Sequence, residues 1–340
     1  LMEFTDTLVM GTPLWMWAIF MTIVVILLAL DLGLFHRTAR EIGVRESLVL
    51  SAFYITIGLG FGAWVWVYAG PTSGKEYLTG FLVEKTLSMD NIFVMSLIFT
   101  YFGIPRIYQH RVLFYGILGV ILLRGLVIAV GAWLVASFHW VLYIFALLLI
   151  FTGIKMLLPG DDEPDIKENP ALKLMRRFLR ITPKLREQRF FVREPDGKTG
   201  AIVTWVTPLF VAMILIEIVD VIFALDSIPA IFAITTDTFV VYTSNIFAIL
   251  GLRALYFALA AVIDRFSYLK PALAMILVFI GSKIFVADLA GWEKFPASVS
   301  LSVTVALIAA GILYSLWRTQ RDPVPPSQDD KVQNAKAGDL

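Results

Sequence analysis

Two short acidic motifs lie inside segments of the chain that are otherwise apolar enough to cross a lipid bilayer. In the first motif Glu84 and Asp90 are six residues apart, and in the second Asp220 and Asp226 have the same separation. A charge buried in hydrocarbon costs about 2.5–3.5 kcal/mol or more, so an intramembrane acid needs a partner or a function. Carboxylates in such a setting can bind a hard cation through oxygen.

Neighbouring residues extend this candidate ligand set with further oxygen donors. Asn91 and Ser227 each follow the second acid of a motif, and Glu217 lies three residues before Asp220, on the same helix face. Oxygen-only ligand sets suit Mn²⁺ and Ca²⁺, whereas Mg²⁺ tends to keep its waters and zinc and copper prefer nitrogen or sulfur. The predicted metal ligands are Glu84, Asp90, Asn91, Glu217, Asp220, Asp226 and Ser227.

The composition is typical of a polytopic membrane protein. Of the 340 residues, 59% are hydrophobic and 16% are charged, whereas soluble domains have about 45–50% apolar residues. The net charge of +1 gives no indication of nucleic-acid binding. Because the chain has no cysteine, it has no disulfide, thiolate metal site or thiol redox chemistry. We therefore expect a role in the bilayer without enzymatic activity or a required cofactor.

Nine segments of about 20 predominantly apolar residues predict an all-α bundle of about nine membrane-spanning helices. Five spans form an N-terminal half (1–158) and four form a C-terminal half (203–317). A cytoplasmic loop (159–202) joins the halves, and a polar tail (318–340) is expected to be disordered. Within the loop we predict an amphipathic helix at 170–180, either interfacial or a plain linker, and then a short hairpin. The predicted spans are 13–34, 48–69, 77–102, 110–136, 139–158, 203–233, 239–262, 271–290 and 297–317.

The distribution of Lys and Arg between the spans predicts the orientation. Basic residues concentrate in the loops of one side, and little beyond Lys75 and Lys294 falls on the other. By the positive-inside rule the N-terminus lies outside and the C-terminus lies in the cytoplasm. Besides the 159–202 loop, the cytoplasmic basic residues are Arg37, Arg40, Arg45, Arg106, Arg111, Arg265, Lys270, Arg318 and Arg321.

The order of the charged residues indicates an internal repeat, with copy one at about 77–158 and copy two at about 203–290. In each copy an acid pair precedes an arginine, Arg124 or Arg253, and a Gly-x-Lys motif follows one span later. Each copy has three spans, an odd number, so the second copy enters the membrane from the opposite face. This arrangement is an inverted repeat, which in many transporters places a substrate site at the midplane.

Inversion decides which acids can meet. If the two acidic helices are antiparallel, Glu84 lies level with Asp226, and Asp90 lies level with Asp220. Acids six residues apart on a straight helix are separated by about 9 Å along the axis and about 120° around it. The four acids therefore form either two stacked pairs or, if the helices break, one cage. Pro229 favours a break in the second motif because it removes a backbone donor.

A structural alternative is that buried cations simply neutralise the acids and hold the bundle together. Asp31, late in the first span, is an acid outside the repeat that would line an exit or accept a proton. Asn245 would add an amide oxygen to the site. The predicted supporting residues are Asp31, Lys85, Arg124, Asn245, Arg253 and Lys283.

In the segments Glu84–Asn91, Glu217–Phe232 and Thr243–Arg253 the chain resembles the TerC family, and the likeness covers nearly the whole sequence. The resemblance implies a bacterial inner-membrane protein related to the LysE-type exporters, with relatives linked to manganese export. It also implies that the four acids of the two motifs correspond to acidic metal-site positions of the family. Older descriptions of the family speak instead of tellurite resistance or redox modulation.

These observations predict an exporter of a divalent metal, Mn²⁺ before Ca²⁺, that works by alternating access. Exchange of the metal for protons on the same carboxylates is left open. The alternative is a membrane scaffold, assembly factor or stress-resistance factor, for tellurite or redox modulation, with structural intramembrane charges. The expected partners are a divalent cation and the lipid bilayer, with no nucleic acid; the number of subunits stays open.

Overall fold

The computed structural model describes residues 7–35, 43–158, 169–195, 201–259, 269–292 and 294–321, except for some side chains, those of Asp90 and Asp226 among them. The described chain is helical apart from two small hairpins. The strands are β1 (Leu8–Val9), β2 (Thr12–Pro13), β3 (Phe191–Pro195) and β4 (Ile202–Val206). The helices are α1 (Leu14–Phe35), α2 (Val44–Tyr68), α3 (Pro71–Tyr101), α4 (Arg106–Ser137), α5 (Val141–Leu157), α6 (Pro170–Phe178), α7 (Pro208–Ile234), α8 (Thr238–Ile249), α9 (Leu252–Leu259), α10 (Leu269–Leu289) and α11 (Ala297–Arg321).

Seven helical segments in the described part of the chain are long and apolar enough to cross a membrane. Two predicted spans fall short of that standard for different reasons. The helix α5 is apolar but has only 17 residues, and α3 carries five charged residues along its length. The polytopic helix bundle is therefore confirmed, whereas the count of nine spans stays a prediction.

Prolines begin the two helices that carry the acidic motifs. Pro71 starts α3 directly after Gly70, and Pro208 starts α7 directly after Thr207. A proline in the first turn is favoured because its missing N–H would have no intrahelical acceptor there. Pro229 does not end α7, which continues to Ile234. The expected break at this proline is thus absent, and both acidic helices are continuous.

The break lies instead in the predicted seventh span, which forms the two helices α8 and α9. Gly251 separates them with a φ of +81°, in the left-handed region that glycine adopts without a steric penalty. A Cβ atom at Gly251 would lie 2.6 Å from Cβ of Tyr54 on α2, so α2 also approaches too closely for a side chain. The discontinuity is therefore specified by both conformation and packing.

We expect Gly251→Ala to lower the stability of the protein by about 1–2 kcal/mol or more, because a left-handed non-glycine residue carries that cost before any clash is counted. The measurement is the apparent melting temperature of the purified protein in detergent. Gly60→Ala is the matched control, since a Cβ there meets no atom within 4 Å. Equal melting temperatures for the two variants would contradict the conclusion that conformation and packing require glycine at position 251.

The helices pack so that α3 and α7 lie at the centre of the bundle. The helix α3 contacts α2, α7, α8 and α11, while α7 also contacts α4 and α5. Aromatic side chains fill the space between α1, α2 and α8, where Phe20, Phe61 and Phe247 form mutual ring contacts. On these central helices Glu84, Asn91 and Asp220 are buried within the bundle.

The predicted loop helix and hairpin are both present. The helix α6 buries Leu172 and Met175 against the apolar ends of α3 and α7, and β3 pairs antiparallel with β4. Arg186 donates to Glu194 at 2.6 Å, and this hydrogen bond lowers the pKa of Glu194. The helix α11 continues to Arg321, so the polar tail begins later than the predicted position 318. Residues 322–340 of the predicted tail lie outside the described residues.

Candidate functional site

Arg124, near the middle of α4, is the centre of the buried polar site. Its Nε and Nη2 atoms donate to the two carboxylate oxygens of Asp220 on α7, each at 3.0 Å. Its Nη1 atom donates to Oε1 of Glu84 on α3. The exposed fractions of Arg124, Glu84 and Asp220 are 1%, 1% and 2%. Acids from both predicted motifs therefore meet at one guanidinium in a water-excluded position.

Two further predicted residues complete the surroundings of this guanidinium. Nη1 of Arg124 lies 3.3 Å from Oγ of Ser227 and 3.2 Å from Oδ1 of Asn245 on α8. Every one of these partners presents oxygen. A second carboxylate oxygen, Oε2 of Glu84, is buried and has no hydrogen-bond partner in the described part of the chain. The site is thus an oxygen-lined cage that contains a cationic side chain.

The contacts between α3 and α7 show that these helices are antiparallel. Nδ2 of Asn91 on α3 donates to Oδ1 of Asp220 on α7 at 3.2 Å. Nearer the start of α3, a Cβ atom at Gly80 would lie 3.9 Å from Cγ2 of Ile231, which is nearer the end of α7. Residue numbers thus rise along one helix as they fall along the other. Asp90 lies next to Asn91 on α3, but its side chain and that of Asp226 lie outside the described residues. The predicted levels of the four acids accordingly stay a prediction.

Asp31 and Arg253 contact each other in the described part of the chain. They form a separate buried ion pair between α1 and α9, and the hydroxyl of Tyr54 on α2 donates to Oδ1 of Asp31 at 3.3 Å. Tyr54 has no signal in the sequence, because a tyrosine inside an apolar span reads as an ordinary packing residue. Arg124 and Arg253, which match in the repeat, therefore serve different acids.

Lys85 is directed at the break between α8 and α9. Its Nζ atom donates to the carbonyl oxygen of Ala248 at 2.9 Å. The last carbonyls of a helix have no intrahelical donor, and the C-terminal end of a helix carries a partial negative charge. Lys85 therefore stabilises the buried end of α8 next to the cage.

Lys283 belongs to a polar cluster near the end of the bundle where α3 and α11 begin. Its Nζ atom lies 3.3 Å from Oγ of Ser300 on α11, and the buried carboxylate of Glu76 on α3 is close enough to interact with its charge. Glu76 was not among the predicted residues, although an acid in the second turn of an intramembrane helix is a signal that could have found it.

Glu217, the remaining predicted ligand, also stays outside the cage. Its carboxylate lies against Gly116 and Gly119 of α4, and a Cβ atom at Gly119 would be 2.6 Å from Oε2 of Glu217. A Gly-x-x-Gly spacing on the helix that faces an acid is the signal that points to this contact.

The donor atoms around Arg124 are those that a hard cation would use. Within the described residues, no group of three or more acidic or histidine side chains is gathered as a metal cage, since Arg124 lies between Glu84 and Asp220. Removal of the guanidinium from this position would leave carboxylate, hydroxyl and amide oxygens facing one another. That donor set fits Mn²⁺ or Ca²⁺ and does not favour a soft metal.

The fold and the site define a polytopic integral membrane protein with a buried, charged centre. The chain belongs to the TerC family: the family model described as "Integral membrane protein TerC family" matches residues 69–323. The resemblance seen in the acidic motifs is thereby confirmed.

Several relatives match over most of their length. An "Uncharacterized membrane protein" of Rickettsia bellii is 49% identical over 302 residues, which cover 89% of this chain and 97% of the relative. An uncharacterized membrane protein of Myxococcus xanthus is 45% identical over 322 residues, 95% and 98% of the two chains. A protein of Escherichia coli K12 named "Putative membrane-bound redox modulator Alx" is 45% identical over 320 residues, 92% and 97% of the two chains. No solved structure shows a significant match to the chain.

Proposed function

We propose that this protein exports a divalent cation, with Mn²⁺ as the first candidate and Ca²⁺ as the second, from the bacterial cytoplasm across the inner membrane. The observation that carries the proposal is the convergence of Glu84 and Asp220, from two antiparallel helices, on a single cationic group. Hydroxyl and amide oxygens surround the same position. These oxygens accept hydrogen bonds from the guanidinium, and they would be available as ligands to a metal ion that took its place.

In the proposed mechanism the metal and the guanidinium of Arg124 compete for the same oxygens. Without metal, Arg124 satisfies the carboxylates, because buried anions without a partner are costly. When a divalent cation binds, the guanidinium withdraws and the oxygens become ligands, together with Asp90, Asn91 and Asp226 from the two motifs. Proton exchange on these carboxylates remains an additional route for the return step.

The predicted inverted repeat, if present, favours alternating access as the transport mode, and the helix contacts agree with it. The first helix of each copy contacts the second helix of the other copy: α3 contacts α8, and α7 contacts α4. The third helices, α5 and α10, pack against each other through Gly153 and Gly281, the matching glycines of the two copies. This exchange of partners is what a two-fold axis in the membrane plane produces. Rocking of the copies against each other would expose the cage to either side.

The direction of export depends on the predicted orientation. The concentration of Lys and Arg in the loops that join spans one to two, three to four and five to six supports a cytoplasmic location for the beginning of α7 and the end of α3. The N-terminus is then outside and the C-terminus is in the cytoplasm.

The test is Mn²⁺ flux into proteoliposomes that contain the purified protein. We expect Asp90→Asn and Asp226→Asn each to reduce the initial rate by about ten-fold or more, since each removes a charged ligand of a divalent cation. Asp288→Asn, a change in an exposed acid at the end of α10, is the matched control and should keep the wild-type rate. Wild-type flux in both site variants would end the proposal.

The alternative function is that of a membrane scaffold or stress-resistance factor in which the charges are structural. The ion pairs of Arg124 favour it, because they satisfy the acids without any metal, and one relative is named as a redox modulator. Under this alternative the same substitutions lower the abundance of the protein in the membrane. They would produce no phenotype that depends on metal concentration.

A further inference from the structure

Glu217 is a buried acid for which the central cage provides no partner. Its exposed fraction is 9%, and neither Oε1 nor Oε2 has a hydrogen-bond partner in the described part of the chain. Arg124, the cation of the central cage, forms its ion pairs with Glu84 and Asp220. A buried carboxylate without a hydrogen bond or counter-charge is strongly disfavoured, so a carboxylate at this position is stabilised by a bound cation or by a proton.

The neighbouring helix is shaped to admit this carboxylate. Cβ atoms at Gly116 and Gly119 of α4 would lie 3.2 Å from Oε1 and 2.6 Å from Oε2 of Glu217. Both glycines are helical, at i and i+3, so they form one face of α4 without side chains. The two glycines and the carboxylate together define what we call the Glu217 slot. Larger residues at either glycine would displace the carboxylate.

The Glu217 slot is aligned with the central cage. Glu217 lies three residues before Asp220 on the continuous helix α7, which places the two carboxylates on one face with an axial offset of about 4.5 Å. Glu217 is the nearer of the two to the start of α7 at Pro208, the end that is predicted to be cytoplasmic. A cation leaving the slot would therefore reach Asp220 after moving about one helical turn.

We propose that the Glu217 slot is a second binding site for a divalent cation, which receives the ion from the cytoplasmic side before it displaces Arg124 in the central cage. This inference rests on the proposed function. The slot supplies one carboxylate, and water completes the shell of the ion, as is common for hard cations. Binding is consequently weaker than in the cage, which suits a site that must pass the ion on to the central cage.

The asymmetry of the repeat fits this role. In the first copy, the position equivalent to Glu217, three residues before Glu84, is occupied by Phe81. Phe81 is buried and packs against Gly58 of α2. The acid is thus present in only one copy, whereas a purely structural feature of the repeat would be expected in both. A site on one side of the cage is the first to meet an ion that arrives from that side.

The first test is equilibrium binding of Mn²⁺ to the full-length protein in lipid nanodiscs, followed by electron paramagnetic resonance. We expect the wild-type protein to show a tighter and a weaker class of bound Mn²⁺. Glu217→Gln should remove the weaker class and leave the tighter one, and Gly119→Ala should do the same by displacing the carboxylate. Gly60→Ala should retain both classes. Identical Mn²⁺ binding by Glu217→Gln and wild type would overturn the inference.

The second test is the concentration dependence of Mn²⁺ flux from the cytoplasmic side in oriented proteoliposomes. We expect Glu217→Gln and Gly119→Ala to raise KM by about ten-fold with a maximal rate within about two-fold of wild type, because they remove binding that precedes the transport step. An unchanged KM in both variants, with flux still abolished by Asp226→Asn, would overturn the slot and leave the proposed function intact. If Glu217→Gln loses the weaker class of bound Mn²⁺ while the wild-type protein shows no Mn²⁺ flux, the slot is supported and the exporter function is overturned.

Discussion

Arg124→Met is expected to destabilise the protein by about 3–5 kcal/mol, the cost of leaving buried carboxylates without their cation. Glu84 and Asp220 are both almost completely buried, and both depend on this guanidinium. The measurements are the amount of folded protein in the membrane and the apparent melting temperature in detergent. A melting temperature equal to that of the wild type would contradict the structural role of the arginine.

Two companion variants test whether Arg124→Met loses stability because of unpaired charges or because of the changed shape of the side chain. The triple variant Glu84→Gln, Arg124→Met, Asp220→Asn has no unpaired charge, so its stability should return close to the wild-type value while Mn²⁺ flux stays absent. Arg124→Lys should be intermediate, because an ammonium group cannot make the bidentate contact with Asp220 and reach Glu84 at the same time. If the triple variant is as unstable as Arg124→Met, charge is not the cause.

Arg124→Met also distinguishes the two candidate functions. If the cage binds Mn²⁺ in place of the guanidinium, added Mn²⁺ should raise the melting temperature of this variant more than that of the wild type. The reason is that a ligand stabilises the folded state more when it binds that state more tightly. A scaffold with purely structural charges would show no such Mn²⁺-dependent rescue.

Gly281→Val is expected to have the second-largest effect, a loss of about 1–3 kcal/mol or more from overpacking between helices. A Cβ atom at Gly281 of α10 would lie 2.6 Å from the carbonyl oxygen of Ala146 on α5, and backbone atoms cannot move aside as a flexible side chain can. The apparent melting temperature in detergent is again the measurement. Gly60→Val, at a position with open space around the Cβ atom, is the control.

The partner residue Gly153 provides an independent check. A Cβ atom there would lie 2.7 Å from the carbonyl oxygen of Ala274, so the two glycines mediate reciprocal contacts between α5 and α10. Gly153→Val should therefore destabilise the protein about as much as Gly281→Val, by the same overpacking mechanism. A large difference between the two variants would argue against a two-fold relation between the copies.

Much of the candidate site could be predicted from the sequence because its chemistry conflicts with its surroundings. Charged residues inside apolar segments are so costly that their positions mark a polar centre before any contact is known. The same signal predicted that the acidic motifs of the third and sixth spans face each other, with Glu84 level with Asp226 and Asp90 level with Asp220. In the structure one acid of each motif, Glu84 and Asp220, contacts Arg124, and the predicted pairs stay a prediction. It also marked Arg124, and Asn245, a polar residue inside an apolar span, reaches the same centre.

The choice of partner for each charged group could not be predicted in this way. Arg124 and Arg253 match in the repeat, yet one joins the central cage and the other pairs with Asp31. Similarly, Lys85 donates to the carbonyl oxygen of Ala248 near the end of α8, a partner that the motif itself does not indicate. These outcomes depend on helix rotation and on distances of a few ångströms between segments that are far apart in the chain.

The sequence by itself determined that the chain is a helical membrane protein, where its acidic motifs lie and which metals oxygen ligands would favour. Hydropathy and charge are properties of residue types, so they can be read without coordinates. Only the tertiary structure decided that Gly251, rather than Pro229, interrupts a span, that one guanidinium holds acids from two helices, and that two glycines make room for Glu217. These features follow from close packing between helices, and packing depends on which surfaces meet.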